Sequence, residues 1–275
     1  MRTGLLRIKS WYRYIPTSLT LGNSLCGFTA ILCTLEAHVP EPGKEVPQLL
    51  AVSAWLIVGA MIFDMLDGWT ARMLKVFSDH GIQMDSLADM VTFGVAPAVM
   101  VAVMAHTNQL TWLPTRWVWL MCALYLGCVA LRLALYNVTA TAATEAEGFR
   151  GLPSPGGAAA VSSLVILYSD PLYQEYFLII TELLPYYAGI LGVLMVSSIP
   201  YMHIGHWLGS KRKNKLKILL LIIFFLAFSW KSRLVAALAI NIYVLSGPLT
   251  VLIVWILRHT VPQHASPAVR EKPST

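Results

Sequence analysis

The sequence predicts an all-α, polytopic membrane protein of about eight transmembrane helices, with an acidic metal-binding site at one membrane face. Three observations carry that expectation. The chain of 275 residues is 57% hydrophobic and only 12% charged, about half the charged share of a soluble domain. Its mean hydropathy is +0.64. Apolar runs near the length needed to cross a bilayer, about 20 residues, recur from one end to the other.

The spans are expected at 17–37, 48–70, 86–105, 113–136, 156–170, 178–200, 216–230 and 233–257. The first follows a basic stretch and carries Thr20 and Asn23. The second ends in Asp64 and Asp67, and the third opens on Asp85 and Asp89. The fourth contains Arg132. Pro153 and Pro155 mark a turn before the fifth, which is short, as is the seventh. Pro185 interrupts the tract from Tyr173 to Tyr201, so a count of six or seven spans is the alternative. This divides the chain into a basic segment 1–16, a membrane domain 17–257 and a polar tail 258–275. The basic start lacks a short apolar region with a small-residue cleavage site, so the first span is expected to remain as an anchor.

Lys and Arg set the expected orientation. With the N-terminus inside, fifteen fall on the inner side and four, Lys44, Arg116, Lys231 and Arg233, outside. Both termini and the aspartates are then cytoplasmic. The same bias accounts for most of the net charge of +6, and no nucleic-acid partner is expected. Lys211–Lys217 anchors the topology and can attract anionic headgroups. Cys26, Cys33, Cys122 and Cys128 lie in apolar runs and read as small buried hydrophobes.

Five aspartates fall between Asp64 and Asp89, although a charge at the bilayer centre costs roughly 2.5–3.5 kcal/mol on insertion scales. Asp64 and Asp67 are three apart, and Asp85 and Asp89 four apart. Both spacings put two side chains on one helix face. Consecutive antiparallel spans can bring the faces together. Four converging carboxylates repel unless a cation neutralises them, and hard oxygen ligands suit Mg²⁺ or Mn²⁺. Four can hold two ions roughly 3.5–4 Å apart, an arrangement used in phosphoryl displacement. Gly68 and Ala71 leave the helix surface bare, and Arg72 offers a planar fork for phosphate oxygens. Gly81 is expected to let the chain turn before the third span, with Asp79 and His80 as ordinary loop residues. Solvated acids in a juxtamembrane loop are the plain alternative. Two facing pairs with small residues and an arginine between them weigh against it.

Asp64-x-x-Asp67-Gly68-x-x-Ala71-Arg72, followed after eight residues by Gly81-x-x-x-Asp85-x-x-x-Asp89, resembles the signature of the CDP-alcohol phosphotransferases. Further stretches are similar to the phosphatidylserine synthase branch: IPTSLTLGNSLCGFTAI, LRLALYNV, GFRGLPSPGGAA, LMVSSIPY and YVLSGPL. Two positions depart from the branch, Thr17 in place of asparagine and Leu135 in place of a second arginine.

The resemblance implies a two-ion site held by Asp64, Asp67, Asp85 and Asp89, with Asp89 as general base. It implies a CDP pocket of Gly68, Ala71, Arg72, Gly81, Thr20 and Asn23. The last two serve equally well as hydrogen-bonding glue between helices. The substrates it implies are CDP-diacylglycerol and L-serine, the products phosphatidylserine and CMP, the setting a bacterial-type inner membrane among its lipids, and the assembly a homodimer. Arg132 is a candidate contact for a phosphate or the serine carboxylate, with snorkelling to the interface as the alternative. Asn137 and Arg150 are weaker candidates of the same kind. Glycerol 3-phosphate, inositol phosphate or choline are alternative acceptors. From other classes, a divalent-cation transporter or an inactive scaffold are the alternatives.

Overall fold

Every long element of the described residues is helical. The computed structural model describes residues 14–74, 78–107, 114–141, 151–173, 178–201 and 232–260. Helix α1 spans Tyr14–His38, α2 Val46–Leu74 and α3 Asp79–Asp89. A π-helical turn, Met90–Val95, joins α3 to α4, Ala96–Thr107. Then come α5 at Thr115–Thr141, α6 at Ser154–Tyr168, α7 at Leu178–Val196 and α8 at Ser232–Thr260. Among the described residues, five segments are long and apolar enough to cross a membrane: Tyr14–His38, Val46–Leu74, His80–Thr107, Thr115–Val138 and Ser232–Leu257. The expected fifth and sixth spans appear as shorter apolar helices, Ser154–Tyr168 and Thr181–Val196. Pro185 lies inside α7 without dividing it. The expected seventh span, the 211–217 basic run, most of segment 1–16 and the tail beyond 260 lie outside the described residues.

Small residues decide how α1 meets α2. The buried positions of α1 are Thr20, Asn23, Gly27, Ala30, Thr34 and Ala37, alternating three and four apart. Those of α2 include Ser53, Ala54, Ile57, Ala60 and Asp67. Where Gly, Ala, Ser and Thr meet, the backbones can approach closely, as is usual between membrane helices. Thr34 and Ser53 share a hydrogen bond of 2.7 Å, and Ser53 Oγ also donates to Ala30 O at 2.8 Å. Fourteen residues further along each helix, Thr20 Oγ1 donates to Asp67 Oδ2 at 2.9 Å. These contacts, ~21 Å apart along the axes, fix one antiparallel register.

Helix α6 runs through the middle, with 11 of its 15 residues buried, and packs on α2, α7 and α8. Two tyrosines serve carbonyls that prolines leave open, since proline has no N–H to give to the residue four before it. Tyr125 OH donates to Phe93 O at 2.8 Å, four residues ahead of Pro97. Tyr201 OH donates to Val244 O at 3.1 Å, four ahead of Pro248. Gly247 has to be bare for this, because a Cβ there would stand 2.4 Å from the Tyr201 ring.

The third span departs from its expected start. Helix begins at Asp79, so Asp79 and His80 belong to its first turn. Ser78 caps it, accepting the Gly81 N–H at 3.1 Å. Gly81 is therefore helical, in place of the turn residue expected from the sequence. At the far end of the bundle, Lys44 pairs with Glu36 and with Glu41 at 3.2 Å. Hydrogen bonds that it donates to those carboxylates, Glu36 foremost, hold its ammonium above the usual lysine pKa.

Candidate active site

The site forms where α2 ends and α3 begins. Asp64 and Asp67 sit in the last turns of α2, and Asp85 in the second turn of α3. One carboxylate oxygen from each of the three lies within 4.8 Å of the others. Asp89, 8% exposed, stands one turn deeper, outside that trio, and accepts a hydrogen bond from Asn23 Nδ2 at 3.0 Å. Asp67, 5% exposed, takes the Thr20 hydroxyl. Asp85 Oδ1 is buried with no hydrogen-bond partner among the described residues. Nor does any described Lys or Arg reach these carboxylates within 4.0 Å.

Three hard oxygens this close, on side chains one of which also has a buried oxygen with no partner among the described residues, fit a divalent cation. Asp64, Asp67 and Asp85 are the residues placed to hold it.

Beside the carboxylates opens a cavity of about 430 Å³, within the range of small-molecule pockets. Thr20 enters it from α1, and Asp67, Gly68, Ala71 and Arg72 from α2. Gly81, Asp85 and Asp89 come from α3, and Asn137 from α5. Nine of the residues singled out in the sequence thus share one cavity. Among the described residues, the atoms within 4 Å of a Cβ added at Gly68 are those of the Arg72 guanidinium, at 3.6 and 3.9 Å. Protein packing does not explain that bare backbone, and a ligand lying against it does.

Other expected residues go elsewhere. Asn23 is fully buried behind Asp89 and does not line the cavity. Arg132 is absent from the lining too, and its Nη1 donates to Met195 O at 3.2 Å, at the C-terminal end of α7. A cation at a helix C-terminus meets the negative end of the dipole. Arg150 lies outside the described residues. The sequence reading missed Ser78, Met84, Ser86, Leu133 and Tyr136 as lining residues. Leu133, Tyr136 and Asn137 are spaced i, i+3, i+4, so one face of α5 was legible as a unit. Ser86 accepts the Asn137 Nδ2 hydrogen at 2.8 Å, joining α3 to α5 across the cavity wall.

An all-helical membrane bundle with an acidic pocket at the joint of two spans defines the class. The chain belongs to the CDP-alcohol phosphatidyltransferase family, whose sequence profile matches residues 13–194. Among individual proteins it is similar to the CDP-diacylglycerol--serine O-phosphatidyltransferase of Mycobacterium bovis, 35% identical over 190 residues, 68% of this chain and 60% of the relative. The Helicobacter pylori protein of that name is 34% identical over 176 residues, 64% of this chain and 69% of the relative. The Bacillus subtilis protein of that name is 32% identical over 193 residues, 69% of this chain and 90% of the relative. The matched region thus spans about 60% of the mycobacterial protein.

Proposed function

We propose that the protein transfers the phosphatidyl group of CDP-diacylglycerol to L-serine, giving phosphatidylserine and CMP at the cytoplasmic face of the membrane. One observation carries the reading: the family's acidic motif closes into a carboxylate cluster that opens onto a cavity. Membership of the family and the names of the relatives support it.

In the reaction the serine hydroxyl oxygen forms a bond to the phosphatidyl phosphorus. The bond from that phosphorus to the CMP oxygen breaks, and CMP leaves with the electron pair. The hydroxyl proton passes to Asp89, whose Oδ1 is occupied by Asn23 and whose Oδ2 remains to receive it. Position, set by α1, is what fits Asp89 for this work. Gly68 and Ala71 let the diphosphate lie against the α2 backbone, and Arg72 supplies a cation to its oxygens. Two divalent ions, Mg²⁺ or Mn²⁺, held by Asp64, Asp67, Asp85 and Asp89 would offset charge on the diphosphate and on departing CMP. Asn137 and Ser86 stand on the wall where a small polar acceptor would enter. Arg132 acts through the end of α7 in this reading, which replaces the direct acceptor contact expected from sequence. The eight-span count, the inward-facing site and a homodimer belong to the same proposal, and the distribution of Lys and Arg supports the orientation.

The test uses the full chain in vesicles with CDP-diacylglycerol, Mg²⁺ or Mn²⁺ and isotopically labelled serine. Labelled phosphatidylserine and equimolar CMP are the expected products. CMP release with glycerol 3-phosphate, inositol phosphate or choline in place of serine would move the acceptor assignment. Cation flux without CMP release would replace the enzyme with a transporter.

A further inference from the structure

The geometry points to Asn23 as a positioning residue for Asp89, in place of the nucleotide contact that the sequence implies. This inference rests on the proposed reaction. Asn23 has no exposed surface and does not line the cavity. Its side chain reaches Asp89, Nδ2 to Oδ1, at 3.0 Å. Its backbone is held in turn, because Thr92 Oγ1 donates to Asn23 O at 3.0 Å. Thr92 lies in the π-turn directly after Asp89. Asn23, Asp89 and Thr92 therefore close a small ring: one α1 residue donates to Asp89 and accepts from Thr92, two residues on consecutive turns of the third span. Gly27, one turn along α1, completes the fit, because a Cβ there would stand 2.3 Å from Thr92 Oγ1 and 2.8 Å from Thr92 Cα.

The other end of the amide separates this role from packing. Asn23 Oδ1 is buried with no donor among the described residues. A residue kept only to glue two helices gains nothing from an unpaired buried acceptor, which is unfavourable. Turning the amide over would set its oxygen against the Asp89 carboxylate, so the Asp89 contact decides its orientation. The ring holds Asp89 Oδ1 toward α1, in a side chain that lines the cavity.

The experiment compares wild type, Asn23→Ala and Thr92→Val in vesicles, with kcat and the KM for CDP-diacylglycerol measured separately. For Asn23→Ala, kcat is expected to fall by about 10–100-fold, the usual effect of losing an outer partner of a site ligand, with KM unchanged. Thr92→Val keeps the amide and loses its anchor, so the same kind of loss is expected at smaller size. It carries the test if Asn23→Ala does not purify folded. A second readout needs neither metal nor substrate. In chelated protein, the thermal midpoints of Asn23→Ala, Asp89→Asn and the double variant should be non-additive, as for directly coupled side chains. A raised KM with normal kcat would return Asn23 to the nucleotide pocket. A lowered midpoint with normal kcat, or additive midpoints, would reduce it to packing. Wild type that releases no CMP with any alcohol would sink the proposed function, and this role with it.

Discussion

Gly27→Ala tests the joint between α1 and the third span. The added methyl would lie 2.8 Å from Thr92 Cα and 2.3 Å from Thr92 Oγ1, whereas ordinary contact begins near 3.4 Å. Two responses are open. Thr92 can rotate away, giving up its bond to Asn23 O at about 1 kcal/mol, but the clash with its Cα remains. Alternatively α1 can back off by about 0.6 Å, the difference between the observed and ordinary approach to Cα. A shift of that size straight away from the third span would stretch the Asn23–Asp89 bond of 3.0 Å to about 3.6 Å, beyond useful hydrogen-bonding range. Overpacking costs about 1–3 kcal/mol, and the helix preference for alanine over glycine returns about 1 kcal/mol. The clash wins, by roughly 1–2 kcal/mol once the loosened carboxylate contact is included. For a chain of this size that lowers the thermal midpoint by roughly 2–8 °C. Turnover should fall more than stability does, on the order of tenfold or greater, because displacements approaching 1 Å in catalytic groups cost up to about 10²-fold. The assay is CMP release alongside a thermal melt, with Gly59→Ala as control, since a Cβ at Gly59 meets nothing within 4 Å among the described residues. Wild-type midpoint and turnover in Gly27→Ala would refute the claim that this approach holds the site.

Three further outcomes are expected. Tyr125→Phe removes the hydroxyl that serves Phe93 O at 2.8 Å, so a melt should show a loss of about 1–3 kcal/mol. Gly151→Ala should be worse, because Gly151 has φ +82 and a Cβ would stand 2.4 Å from Met195 O. The left-handed conformation alone costs roughly 1–2 kcal/mol, and poor yield of folded protein on size-exclusion chromatography is the expected result. Mn²⁺ at about 100 times its Kd should stabilise wild type by about 2.7 kcal/mol, EDTA should reverse the shift, and Asp85→Asn should show little of it. An equal Mn²⁺ shift in Asp85→Asn would remove that residue from the metal site.

The acidic motif was legible because helical spacing fixes which side chains share a face, and the loop is short enough to bring consecutive helices together. Thr20 was read as glue between helices or as part of a nucleotide pocket, and the structure gives it both a bond to Asp67 and a place in the cavity lining. The start of α3 was misplaced because apolar content guided the boundary. Asp79, His80, Gln83 and Asp85 interrupt the apolar run there, so the first turns of the helix look like loop. The Ser78 cap, with its oxygen on the Gly81 N–H, is a local signal that outranks apolar content. Arg132 was read from its charge, which says that it needs acceptors and leaves open which ones. Its partner, the Met195 carbonyl, is 63 residues away in sequence. Such a pairing follows from the docking of α5 on α7, and no local pattern encodes it.

The π-turn left the faintest trace and has the widest effect. A π-turn carries one residue more per hydrogen-bonded turn than an α-helix, and such turns are frequent at functional sites. Here it separates two jobs within one span. Before it, Asp85 and Asp89 belong to a short polar helix whose acids meet α1 and α2. After it, Ala96, Met100 and Met104 are buried in the apolar core. Along an unbroken α-helix the acidic and apolar faces would be locked in one phase. The extra residue lets each half take its own. The sequence supplies what the turn needs: Pro97 cannot restore the regular ladder, Tyr125 takes up the Phe93 carbonyl, and Thr92 fastens the turn to Asn23 O. The residues around the Asp89 turn, Asn23, Thr92, Pro97 and Tyr125, carry no charge and do not line the cavity. A search restricted to chemically reactive side chains would find the ligands and miss what aims them.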